Sequence, residues 1–124
     1  MAAVKPFICI RPRGEMAART AALPYDVYNR QEACEAVKGN PYSFLNIDRP
    51  ETQFPAEVDT YDDRVYVRAR ETLDRQIEEG VYVTDAEENY YLYELTMDGR
   101  SQTGVVACCS IDDYVNGIIK KHEN

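Results

Sequence analysis

The chain has 124 residues, 44% hydrophobic and 29% charged, with 14 basic against 22 acidic side chains and a net charge of −8. At ~150 residues per domain this length predicts a single domain, and it suffices to bury a core without disulfide or metal staples. The composition excludes a disordered chain; the longest uncharged apolar run, 104–111, falls far short of the ~20 residues of a spanning helix; and no secretory leader opens the sequence. The expectation is a soluble cytoplasmic protein with no membrane partner.

Taken in chain order, Pro6 to Arg11 is a short apolar run closed by Pro12, which predicts a first strand. Residues 15–22 are good helix formers that stop before Pro24. Asn29 followed by Glu32 resembles a capping arrangement and predicts a short helix over about 30–38, ended by Gly39. Asn40-Pro41-Tyr42 turns the chain, and 43–47 reads as a second strand. Residues 48–60, with Pro50 and Pro55, read as a long irregular loop.

The strongest periodic signal lies over about 61–79. Tyr61, Val65, Ala69, Leu73 and Ile77 recur every four residues, Asp59 or Thr60 would cap the helix, and Gly80 would end it. Its arginines interleave with acids, which predicts a solvated outer face. Val81 to Val83 reads as a short strand. Asp98-Gly99 between two strand-like runs then predicts a hairpin over about 90–111, in which Leu92 faces Val105 and Tyr91 faces Val106. Both faces of this ribbon carry apolar or aromatic residues, which predicts a central hairpin covered on both sides. Asp112 and Asp113 start a short turn or helix. The fold class is therefore α+β: a mostly antiparallel or mixed sheet with a central hairpin, packed by one long helix and shorter ones.

The charge is uneven, −2 over 1–62 and −6 over 63–124, so a nucleic-acid partner is not expected. The first twenty residues, with Lys5, Arg11, Arg13 and Arg19 against Glu15 alone, are locally positive, and solvated surface is the simplest account of them. Cys9, Cys34, Cys108 and Cys109 contain no C-x-x-C spacing, and with a single histidine they complete no zinc set. They read as reduced core residues. Most of the ten tyrosines read as packing residues rather than base-stacking platforms. No metal site is expected.

No phosphate-binding glycine loop, metalloprotease motif or nucleophile elbow is present: Gly99 and Gly104 are spaced like a P-loop pair, but Val105 and Val106 follow them. The densest reactive group is Lys120-Lys121-His122-Glu123, where two ammonium groups could hold phosphoryl oxygens and a histidine or glutamate could take a hydroxyl proton. Arg100, Asp26 and Arg49 are isolated polar residues in loops.

A string of short motifs binds these pieces together. They are Pro6-Phe7 with Ile10-Arg11-Pro12, Pro24-Tyr25-Asp26-Val27, Asn40-Pro41-Tyr42-Ser43-Phe44-Leu45 and Arg49-Pro50-Glu51. Then come Tyr61-Asp62-Asp63, Met97-Asp98-Gly99-Arg100 with Gln102-Thr103-Gly104, and Ile119 to Glu123. In this order, over essentially the whole chain, they resemble domain-of-unknown-function family one thousand and fifteen. One departure is Leu23, where that family commonly has a second proline. The resemblance implies a longer protein with an Asp-Gly-His-His-Arg motif like that of free serine kinases related to ParB and sulfiredoxin; these 124 residues contain no Gly-His-His-Arg. It thus implies the amino-terminal region of a nucleotide-dependent small-molecule kinase, inactive or nearly so alone. The phosphoryl group of ATP, with Mg²⁺, would pass to free serine.

On that reading Lys121, His122 and Glu123 are the catalytic candidates, Asp98, Arg100 and Lys120 would hold the nucleotide (ATP or ADP), and Tyr25, Asp26 and Asn40 would hold the substrate. No cofactor is expected to be tightly bound. The alternatives are a ParB-like regulatory nucleotide-binding module and a non-catalytic interaction domain. The expected partners are the small-molecule substrate and the rest of the same chain. A homodimer through an exposed sheet edge is a further expectation.

Overall fold

The structure is a computed structural model, and it describes residues 1–122. The chain divides into two compact units: Ile10–Val83 forms one, while Met1–Cys9 joins Thr84–Asn124 in the other.

The Ile10–Val83 unit is mostly helical. It contains strand β2 (Ile10–Pro12), helices α1 (Ala17–Thr20), α2 (Arg30–Ala36), α3 (Leu45–Asp48) and α4 (Asp63–Glu78), and the start of strand β3 (Tyr82–Thr84), which pairs with β2. Short 3₁₀ turns lie at Gly14–Met16, Tyr25–Val27 and Pro50–Gln53. Met16, Val81 and Tyr82 form a buried cluster, with Tyr42, Ile47, Leu73 and Ile77 against it. The expected capping box at α2 is present on both arms: Asn29 Oδ1 accepts from Glu32 N (2.9 Å), and Glu32 accepts from Asn29 N (2.8 Å). Gly39, just beyond, has φ 73, the left-handed terminator the sequence predicted.

Two expectations in this unit are corrected. Residues 43–47 do not make a strand. Asn46 Nδ2 reaches back to the carbonyls of Asn40 and Ser43, and Ile47 N donates to Phe44 O (2.8 Å), which closes helical turns instead. Local side-chain bonds to the backbone compete with strand pairing here. The 48–60 stretch is not wholly irregular either. Pro50 opens a 3₁₀ turn, Pro50 and Glu51 are buried, and Arg30 ties the rest by donating to Val58 O (2.7 Å) and Pro55 O (3.0 Å).

Helix α4 starts later than the sequence suggested. Asp59 caps a separate turn, accepting from Tyr61 N (2.7 Å), so Asp62 becomes the true cap and accepts from Arg64 N (2.9 Å). The buried seam is also more polar than the four-residue apolar repeat implied. Val65, Thr72 and Gln76 are each 1% exposed, while Leu73 and Ile77 are only half-buried and Tyr61 lies outside the helix. Thr72 and Gln76 are admitted because they have partners: Thr72 Oγ1 donates to Arg68 O and accepts from Gln53 Nε2, and Gln76 Nε2 donates to Pro41 O. The outer face carries the expected ion pairs, among them Arg70–Asp74 and Arg68–Glu71.

The cap gives α4 a pH signature. The Arg64 guanidinium and backbone N–H hold the Asp62 carboxyl down at about 2, from an ordinary 3.8. A depressed folded pKa contributes stability above the unfolded value and loses it as pH falls through the folded one. Asp62→Asn, which keeps a capping oxygen but no charge, is therefore expected to narrow its stability deficit as pH drops from about 4 to 2, read by thermal melts across that window. A constant deficit would remove the charge from the cap's role.

The second unit is built on strands. β1 (Val4–Lys5) pairs antiparallel with β6 (Cys108–Cys109), and β4 (Tyr91–Met97) with β5 (Arg100–Val106), followed by helix α5 (Ile111–Val115). The predicted first strand is therefore split, with Phe7 making an isolated bridge to Asn89. Ser110 caps α5, and Ala3 N donates to Asp113 Oδ2 (2.7 Å). Tyr91 OH donates to Asp85 Oδ2 (2.6 Å), a bond that pushes the phenol's pKa up.

The hairpin register is as predicted, with Leu92 opposite Val105 and Tyr91 opposite Val106. Asp98 (φ 51) and Gly99 (φ 75) both take positive φ, which the two-residue turn requires. Its surroundings are not as predicted. Apart from Tyr91 the ribbon is exposed along its length on both faces, so it is neither central nor covered. Cys108 and Cys109 are exposed rather than core residues, and Cys9 and Cys34 are only half-buried. Tyrosines follow the same pattern: Tyr82 is buried, whereas Tyr25, Tyr61, Tyr66, Tyr90, Tyr93 and Tyr114 are exposed. Aromatic and β-branched residues suit a pleated strand whether or not anything covers it. Helices and small antiparallel ladders make the class α+β, as expected.

Candidate functional site

The most built-up cleft lies in the helical unit, where α3 ends and the Pro50–Gln53 turn begins. Arg49 sits at this junction with its side chain only 18% exposed, and Glu51 beside it is 2% exposed. Arg49 Nε donates to the Glu51 carboxylate. The same guanidinium donates through Nη1 to Tyr28 O (2.7 Å) and Tyr25 O (3.1 Å). A planar guanidinium can serve a carboxylate and two carbonyls at once, which a lysine ammonium could not do with this geometry. Arg49 thus latches the Tyr25–Val27 turn against α3, and Glu51 neutralises it. Pro50, fixed near helical φ, starts the turn that brings residues 49 and 51 together.

Above this pair the cleft has a volume of about 420 Å³, within the range of small-molecule sites. Tyr25, Tyr61, Tyr66 and Asp48 line it together with Arg49 and Glu51. Pro50, Thr60 and Val65 complete the lining. A larger depression of about 670 Å³ runs along α2, but its lining of Gln31, Glu32, Glu35 and neighbours includes no buried charged side chain. The cleft at α3 is the one with a fixed polar floor.

The sequence-derived candidates fall in separate places. Tyr25 lines the cleft and is 56% exposed, and Asp26 follows it in the same exposed turn. Asn40 is used inside the fold: Nδ2 donates to Arg19 O (2.8 Å), and Oδ1 accepts from Tyr42 N (3.2 Å). In the strand-built unit, Asp98 and Arg100 stand at the exposed hairpin turn, seven paired positions from its base. Lys121 Nζ lies 4.6 Å from the Tyr114 ring centroid of α5, Lys120 and His122 are exposed, and Glu123 lies outside the described residues.

Sequence reasoning noted Arg49 as an isolated loop residue, and quoted Arg49-Pro50-Glu51 and Tyr61-Asp62-Asp63 as motifs, but placed none of Asp48, Arg49, Glu51, Tyr61 or Tyr66 in a site. The Arg49-Pro50-Glu51 triplet was the usable signal, because opposite charges flank a turn-forming proline.

Among the described residues, no group of three or more His, Cys, Asp or Glu side chains could hold a metal ion. The cleft offers the phosphates of a nucleotide no uncommitted cation, since its one guanidinium is already engaged by Glu51 and two carbonyls. Also among the described residues, no helix is long and apolar enough to cross a membrane.

No curated protein matches the chain, and no solved structure does. Residues 4–124 match the family described as protein of unknown function (DUF1015). With the Pro24-Tyr25-Asp26 turn, the Asn40 knot and the Arg49-Pro50-Glu51 latch all inside that span, the chain belongs to the DUF1015 family.

Proposed function

We propose that this chain supplies the acceptor-binding portion of a nucleotide-dependent small-molecule kinase, acting in the cytoplasm with free serine as acceptor and Mg-ATP as donor. The observation that supports this reading is the cleft over the Arg49–Glu51 pair, walled by Tyr25, one of the substrate candidates. Its acidic lining favours an acceptor over a triphosphate. The donor would then be held by the rest of a longer chain, with Lys120, Lys121 and His122 as this segment's candidates for reaching it. In the reaction the serine hydroxyl oxygen attacks the γ-phosphorus, the bond to the ADP oxygen breaks, and the hydroxyl proton passes to a base.

The test is to incubate a longer protein containing this segment with Mg-ATP and a panel of free amino acids, and to look for phosphoserine. Formation of phosphoserine, lost when Tyr25 is replaced by alanine and absent with this chain alone, is the expected result. Nucleotide binding without transfer to any amino acid would favour the ParB-like regulatory module instead.

A further inference from the structure

The charge around the cleft is lopsided. Its charged lining is two acidic side chains, Asp48 and Glu51, against one basic, Arg49. Arg49 is spent on Glu51 and two carbonyls. Asp48 is exposed in the lining, and the cleft's own arginine bonds Glu51 and two carbonyls instead of it. Three tyrosines share the lining, and each keeps more than half of its surface free: Tyr25 56%, Tyr61 79% and Tyr66 54%.

An anion entering here meets surplus carboxylate. A cation meets the opposite: the surplus carboxylate neutralises it, and the three aromatic side chains of the lining suit an ammonium group better than an anion. We infer that the cleft selects a small organic cation, a primary or quaternary ammonium group seated among Tyr25, Tyr61 and Tyr66 with Asp48 as its counter-charge. The inference takes over the reading of this cleft as a ligand site and adds which end of the ligand is recognised. The engaged Arg49 leaves no free guanidinium to read a carboxylate, so an amine with no carboxylate should be accepted as well as a zwitterion.

The experiment is a titration of this 124-residue chain, followed by NMR of its tyrosine side chains. The probes are tetramethylammonium and ethanolamine, with acetate and glycerol as anionic and neutral counter-probes. The two cations are expected to shift the Tyr25, Tyr61 and Tyr66 signals saturably, and added salt should weaken them. Acetate and glycerol should not shift these signals. Tyr25→Leu and Tyr61→Leu, at exposed positions, should each weaken tetramethylammonium about 5-fold, and Asp48→Asn about 3-fold. Acetate binding as tightly as the amines, cation shifts confined to other residues, or no shift at all would each overturn the inference.

The two readings separate cleanly. Phosphoserine formed by a longer protein whose cleft ignores amines would leave the kinase reading standing and remove this one. Amine binding with no phosphoryl transfer would do the reverse.

Discussion

Replacing Glu51 by alanine is expected to cost about 3–5 kcal/mol of folding stability, the range found when one partner of a buried ion pair is deleted. The carboxylate is 2% exposed and, among the described residues, is the charge set against the Arg49 guanidinium, itself 18% exposed. Removing it leaves a cation in a poorly solvated position with two carbonyls for company. Urea unfolding at neutral pH reads the effect directly, as a fall in midpoint with little change in slope. Replacing both residues, Arg49→Met with Glu51→Leu, removes the stranded charge and should recover most of the loss. The double variant would still lack the latch on Tyr25 and Tyr28, so it should remain folded yet lose tetramethylammonium binding. A Glu51→Ala midpoint within experimental error of the parent would mean that water screens the pair and that the cleft floor is not held electrostatically.

Leu45→Ala should produce the next largest loss, about 2–5 kcal/mol, because a fully buried leucine is replaced by a cavity the surroundings only partly fill. Leu45 is 1% exposed and opens α3, and Arg49 N donates back to its carbonyl (2.8 Å). The cavity would therefore open one helical turn before the latch residue Arg49. Leu45→Met, which keeps the volume, should cost less than about 1.5 kcal/mol. If thermal melts placed the two variants level, α3 would not be anchored by packing at this side chain.

Local chemistry was readable from the sequence where the signal is short-range. The Asn29–Glu32 box, the positive-φ Asp98-Gly99 turn with its register, and the glycine stops at 39 and 80 all depend on neighbours within a few residues. What failed were inferences from apolar content to burial. Leu92 and Val105 look like core residues, yet are 79% and 69% exposed, while Thr72 and Gln76 look like surface and are buried. The first error follows because strand propensity carries no information about what lies against the strand. The second follows because a polar side chain enters a core once distant groups answer it. Gln53 meets the Thr72 hydroxyl and Pro41 O accepts from Gln76 Nε2, although Gln76 Oε1 is buried without a partner among the described residues. The cleft escaped for the same reason. The partners of Arg49 at Tyr25 and Tyr28 lie 24 and 21 residues away, and no local pattern joins them.

The pairing of β1 with β6 also sets an order of events during synthesis. Val4 emerges from the ribosome early, but its partner Cys109 follows only after about a hundred further residues. At roughly 5–20 residues per second, the first strand waits on the order of 5–20 seconds without its ladder. The whole Ile10–Val83 stretch is made in the meantime, with ion pairs such as Arg49–Glu51 inside it. The helical unit can therefore assemble as an insertion while the two segments of the other unit are still apart, and β1 gains its ladder only once residues 108–109 arrive.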